Sequence, residues 1–188
     1  MTTARLLLRP IQESDLEDFH ALRTEVEVMK WTRAGKVDID KEATQIWMNR
    51  FLPPNNATTF SFAIEEIASP GKVIGVVGCH TQEPPECGYM LRTNSWGQGY
   101  ATEALRRWLQ AWWELPRKEV VLEEVEKGDD IDDTIATVPE VLMADLGAEN
   151  IASAKILAKC GFHRVGEELI QLNGSTVNLV TFELPRPA

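Results

Sequence analysis

Apolar residues recur with a helical period in the stretch YATEALRRWLQAWWEL. Ala101, Ala104, Leu105, Trp108, Leu109 and Trp112 stand at i, i+3, i+4, i+7, i+8 and i+11, which predicts a strongly amphipathic helix ended by Pro116. Trp113 falls about 120° off that stripe and needs a partner of its own, for which the acidic segment that follows is the candidate. Two shorter helices are predicted upstream. In SDLEDFHALRTE the stripe is Leu16, Phe19, Leu22 and Val26, opened by a Ser14–Glu17 capping box. In DKEATQIWMNRFL one side carries Ala43, Ile46, Trp47, Arg50 and Phe51, and Pro53 and Pro54 stop the helix.

Between and around these helices the pattern is that of strands. RLLLRPIQ predicts a first strand. TTFSFAIEE, GKVIGVVGCH and ECGYML follow as a meander, with Ser69-Pro70-Gly71 and TQEPPE as the connections. Past the long helix, PEVLMADL predicts a strand and ENIASAKILAKCGF a helix stopped by Gly161 at C′. HRVGEELIQL and STVNLVTFEL close as a hairpin through Asn173-Gly174, a favoured two-residue turn. No internal repeat or linker divides residues 1–188, so the expectation is one mixed α/β domain.

Composition narrows the partners. At 188 residues and 44% apolar content the chain has enough material for one sizeable core. No apolar run is long enough to span a membrane, and the Leu6–Leu8 triplet is too short for a signal-peptide core. Cys79, Cys87 and Cys160 are an odd number at irregular spacing, and His20, His80 and His163 stand alone. That argues for free thiols in the cytoplasm and against a metal site. A net charge of −10 disfavours nucleic acid as a partner. The excess is uneven: nine acids between Glu114 and Asp133 face only Arg117, Lys118 and Lys127, so this stretch supplies −6 of it, and the plainest reading is a solvated surface.

The long helix is preceded by WGQG. A strand, a glycine turn and a helix N-terminus together offer backbone N–H groups that have no helical acceptor, the positive end of a dipole, and room for a phosphate to approach. Thr102 stands where a dinucleotide fingerprint needs its last glycine, and no Gly-Lys-Ser/Thr follows, so neither a dinucleotide fold nor a P-loop is indicated.

CGYMLRTNSWGQGYATEAL, followed by ENIASAKILAKCGF, resembles the GNAT acyltransferase superfamily. The branch it is similar to is typified by ribosomal-protein N-terminal acetyltransferases, with their G-Y-x-L strand, W-G-x-G-Y-A-T-E-A turn-helix and N-x-x-S helix ending in G-F. VIGVVGCH and RLLLRPIQESD extend the likeness over most of the chain except about residues 116–139, which stand out as an acidic insertion. The resemblance implies a single domain with a mostly antiparallel sheet, splayed between its fourth and fifth strands, and helices on both faces. It also implies acetyl-coenzyme A as cosubstrate and no metal. The pyrophosphate is expected on Trp96, Gly97, Gln98, Gly99, Tyr100, Ala101 and Thr102. The pantetheine is expected along Tyr89, Met90, Leu91 and Arg92, where Arg92 is also a candidate phosphate contact. Arg106 and Arg107 have the pattern of plain surface residues.

Acetyl transfer to an amine needs a neutral nucleophile, and so a base. Glu86, Glu168 and His80 are the candidates. Glu86 matches the E-x-G-Y of the branch and shares one strand face with Gly88 and Met90; the unperturbed pKa of His80 suits a base. Many family members carry a tyrosine acid where this chain has Leu157, which makes Ser153 the candidate for contact with the sulfur and Asn150 a helix cap that also reaches the pantetheine. The expected activity is transfer of acetyl to a protein N-terminus, a lysine or a small amine, by a monomer or homodimer. The alternative is a non-catalytic acyl-CoA-binding or interaction module on the same fold.

Overall fold

The computed structural model describes residues 1–82, 84–117 and 140–187, and for residues 80–82 the backbone path alone. The acidic stretch from 118 to 139, the core of the expected insertion, lies outside the described residues. In chain order the elements are β1 (Leu6–Pro10), α1 (Leu16–Arg23), α2 (Val26–Met29), α3 (Lys41–Met48), β2 (Ser61–Glu66), β3 (Val73–Gln82), β4 (Pro85–Leu91), α4 (Tyr100–Glu114), β5 (Val141–Gly147), α5 (Ile151–Lys159), β6 (His163–Leu172) and β7 (Ser175–Pro185). They build one sheet in the order β1-β2-β3-β4-β5-β7-β6.

Every neighbouring pair is antiparallel except β4 and β5. Those two run parallel and meet at one register position, Glu86 opposite Met143. On their other edges β4 pairs with β3 through Leu91 and β5 pairs with β7 along its whole length, from Val141 to Gly147. The sheet is therefore continuous at one end of the β4–β5 seam and open at the other, as the family resemblance led us to expect. At the far edge, the Asn173-Gly174 turn has both residues at positive φ (52° and 81°), the geometry that matches the twist of a two-residue hairpin.

Helices cover both faces. On one, α4 and α5 set Ala104, Leu105, Trp108 and Leu157 against Leu6, Leu8, Ile64, Val77 and Leu142. Trp108 stacks on Trp112 at 5.2 Å between ring centres, and its indole N–H donates to the Phe60 carbonyl at 2.9 Å, whereas the buried Trp112 indole N–H has no hydrogen-bond partner among the described residues. Trp113 packs at the edge of the same core, with the Arg117 guanidinium 5.9 Å from its ring centre. On the other face Phe19, Met48 and Phe51 close over Ala63, Val73 and Val76. No helix among the described residues is long and apolar enough to cross a membrane.

Three local expectations need correction, the first being Val26, expected on the α1 stripe, which opens the separate helix α2 and is largely exposed. The entry to α1 is not a Ser14–Glu17 box. The chain arrives through a 3-10 turn, and Asp15 accepts from the Gln12 N–H at 2.8 Å while both terminal nitrogens of Arg9 donate to its carboxylate at 2.7 Å. In α3, Ile46 is 64% exposed and not part of the buried stripe, which runs Thr44, Trp47, Met48 and Phe51. The phase is set by Asp40, whose carboxylate caps the Ala43 N–H at 2.8 Å. Thr44 is tolerated inside because its hydroxyl donates to Asp38 at 2.8 Å.

Candidate active site

The turn ahead of α4 has the conformation the glycines suggested. Gly97 and Gly99 lie at φ +73° and +82°, where a side chain is strained whatever room surrounds it. Gly99 is the N-cap and brings no side chain to close the helix end. The first helical hydrogen bond is Glu103 N–H to Gly99 O, which leaves the amides of Tyr100, Ala101 and Thr102 without a helical acceptor. The Trp96 indole N–H donates to the Leu91 carbonyl at 2.8 Å and ties the turn to the end of β4. Gln98 is exposed on the same turn.

A feature that sequence reasoning missed braces this turn from β1's side. Arg5 donates to the Gln98 carbonyl at 3.0 Å, pairs with Glu103 at 2.6 Å and lies over the Tyr100 ring at 4.6 Å. From the turn an open groove continues along α4, lined by Arg5, Thr102, Glu103, Arg106, Arg107 and Lys159 among others. Four cations against one carboxylate, itself bonded to Arg5, make this a cationic surface on an acidic chain. The arginines read as plain surface thus border the turn on which the pyrophosphate is expected. Arg92 is differently engaged: its Nε donates to Glu25 at 3.1 Å, and Glu25 also accepts from the Thr93 N–H at 2.8 Å.

The open stretch of β4 carries side chains to two faces. Tyr89 points toward α5, where its hydroxyl is 2.7 Å from Ser153 Oγ. Ser153 is positioned by Asn150, whose side chain accepts from the Ser153 N–H at 3.1 Å and so caps α5 as expected. Burial pushes the Tyr89 phenol well above its ordinary pKa, the Ser153 hydrogen bond only partly opposing it. A phenol therefore stands beside Ser153 after all, delivered by β4 and not by the helix. Leu157, in the helix position where family members carry tyrosine, is buried in the core.

Glu86 and Met90 belong to the opposite face, where Met90 packs against the α1–α3 core. Glu86 sits at the last point where β4 and β5 touch, with its side chain 12% exposed. Arg33 Nη2 is 2.6 Å from its Oε2, and 3.9 Å from Asp145 Oδ2 on β5. Burial raises the Glu86 pKa, Arg33 opposes that rise and Asp145 adds to it. A half-buried carboxylate of raised pKa is suited to proton transfer. Glu168 is exposed on β6, with β7 between that strand and β5, so the sheet does not bring it beside Glu86. His80 lies on β3, but its side chain falls outside the described residues.

Residues 5–163 match the family described as the acetyltransferase (GNAT) domain. Solved structures of the same fold include an acetyltransferase of the GNAT family from Bacillus anthracis, at 19% identity and a TM-score of 0.74 over 99% of this chain and 98% of that one. The spermidine N-acetyltransferase of Vibrio cholerae, solved with CoA and spermine, superposes with a TM-score of 0.72 at 16% identity, over 98% and 97% of the two chains. A ribosomal-protein-alanine N-acetyltransferase from Brucella melitensis gives 0.66 at 20% identity, over 95% and 99%. At these identities the likeness is one of fold.

Proposed function

Because the chain belongs to the GNAT acetyltransferase family, with residues 5–163 matching its domain, we propose that it transfers the acetyl group of acetyl-coenzyme A to a primary amine by direct attack within a ternary complex. The observation that carries this reading is the seam beside β4. It opens after Glu86–Met143, with a half-buried carboxylate on one face and a hydroxyl pair on the other.

In this reading the diphosphate lies on the free amides of Tyr100, Ala101 and Thr102, and the cationic groove from Arg5 to Lys159 receives the remaining phosphate. The acceptor enters from the α1–α3 face and gives its proton to Glu86. The neutral nitrogen then attacks the thioester carbon: the C–N bond forms and the C–S bond breaks. Tyr89, kept protonated by burial, supplies a proton to the departing thiolate through Ser153 and regains one from solvent, while the nitrogen sheds its second proton to water as the amide forms. Backbone N–H groups of the open β4 edge stabilise the oxyanion. The structural neighbours include a spermidine N-acetyltransferase and a ribosomal-protein-alanine N-acetyltransferase, which supports an amine as the acceptor.

Release of free thiol from acetyl-CoA tests the proposal, with spermidine, a lysine-containing peptide and a peptide with a free N-terminus as acceptors. Turnover with at least one of them is expected, and Glu86→Gln should lower kcat by about 10²–10⁴. Coenzyme A binding with no turnover on any amine would instead mark a binding module.

A further inference from the structure

Arg33 lies in a short turn after α2, closed by the Gly35 N–H to the Thr32 carbonyl at 3.0 Å, with Gly35 at φ +63°. The turn docks on the far hairpin. Asn173 Nδ2 donates to the carbonyls of Arg33 and Ala34 at 3.0 and 3.1 Å, joining segments 140 and 139 positions apart in the chain. This strap brings one guanidinium near a carboxylate on each strand of the seam, Glu86 of β4 and Asp145 of β5.

The exposures are unequal in an informative way. The Arg33 side chain is 70% exposed, while Glu86 and Asp145 are 12% and 19% exposed. The two carboxylates are fixtures of the seam, and the cation is presented from solvent. An exposed side chain holds such a pair weakly, because ordering it costs entropy and water competes for the charge. The pairing is also incomplete. Asp145 Oδ1 is buried and has no hydrogen-bond partner among the described residues, and Arg33 approaches only the other oxygen, at 3.9 Å. The pocket lacks a donor that the arginine does not provide. An ammonium has three N–H donors in a compact head, whereas the Arg33 guanidinium hydrogen-bonds Glu86 and stays 3.9 Å from Asp145.

We propose that Arg33 is an internal stand-in for the acceptor's ammonium. Guanidinium and acceptor compete for the Glu86–Asp145 pair, so Arg33 is a specificity-determining residue that admits amines able to displace it. Asp145 is then the second anchor of the acceptor. The inference rests on the reading of this seam as the acceptor site.

The test uses n-butylammonium, a bare cation that probes the pair without demanding a particular acceptor. Its binding is followed through the side-chain carboxyl ¹³C resonance of Glu86. Because Asn173 holds main-chain carbonyls of the strap, Arg33→Ala leaves that dock in place. The variant should bind the probe about 3- to 10-fold more tightly than the parent. Added guanidinium should return the affinity toward the parent value, and Asp145→Asn should weaken binding in both backgrounds. In turnover, Arg33→Ala should lower the amine KM by a similar factor. Unchanged or weaker probe binding in Arg33→Ala, or no response of Glu86 to the probe in either protein, overturns the proposal. Absence of acetyl transfer from the parent protein would count against the enzymatic reading alone, since the titration still reports on the site.

Discussion

Glu86 combines two demands that pull against each other. As the proposed base it has to be ionised near neutral pH, yet burial favours its neutral form, with Arg33 opposing burial and Asp145 reinforcing it. The ¹³C titration midpoint of Glu86 should therefore lie above the ordinary glutamate value. It should move further up in Arg33→Ala, which removes both the charge and the hydrogen bond that lower it, and down in Asp145→Asn. The same shift has a stability sign. A carboxylate whose folded pKa is raised binds more protons folded than unfolded, so stability declines as pH climbs from the unfolded value through the folded one. Glu86→Gln should thus melt at a higher temperature than the parent at neutral pH, with the difference vanishing below the ordinary carboxylate range. A gain in stability with a loss of turnover would mark Glu86 as kept for chemistry; a lower melting temperature at neutral pH would contradict the account.

Helix α5 separates packing from catalysis. Leu157 is 2% exposed in the α4–α5 core, so Leu157→Ala should cost about 2–5 kcal/mol in denaturant unfolding while the folded fraction keeps its kcat. Helices α1 and α3 are joined by charge: Arg23 grips Asp38 at 2.6 and 2.8 Å, and Thr44 donates to the same carboxylate at 2.8 Å. Burial works against the Asp38 charge, but these bonds outweigh it and lower the pKa. Its contribution is then complete above the unfolded aspartate value and lost as pH falls through the lowered folded value. Asp38→Asn should be less stable at neutral pH and lose less on acidification, which urea unfolding at several pH values can check. Elements of this kind were legible in the sequence when their signal was periodic or local. The α4 stripe, the Asn173-Gly174 turn, the Gly161 stop and the glycine turn all needed only near neighbours. The partners of the site were not legible. Arg5 finds Glu103, Arg33 finds Glu86 and Arg92 finds Glu25 across 98, 53 and 67 positions, and such pairs leave no period behind. Tyr89 was read as a strand edge because nothing in CGYML tells that its hydroxyl will meet Ser153.

The chain as a whole carries −10, yet the groove along α4 gathers Arg5, Arg106, Arg107 and Lys159. A local cationic field on an anionic body lets an anionic cosubstrate bind where the net charge would repel it. Coenzyme A affinity should accordingly fall as salt is raised. Arg106→Ala should weaken it about 3- to 10-fold by calorimetry, whereas Arg92→Ala should leave it nearly unchanged because Arg92 is committed to Glu25. Equal losses from the two variants would place the phosphates nearer the strand end than the groove.

The single paired register position between β4 and β5, Glu86 with Met143, is also the narrowest point of the strand pairing. Among the described residues, four strands stand on one side of it and three on the other, and beyond that position no ladder crosses the seam. Local opening should be easiest there, so amides facing the gap should exchange with solvent before those inside either half. A ligand lying against the open β4 edge becomes a borrowed rung of the ladder. At about 100 times its Kd such a ligand adds about 2.7 kcal/mol of protection, a slowing of exchange by about two orders of magnitude.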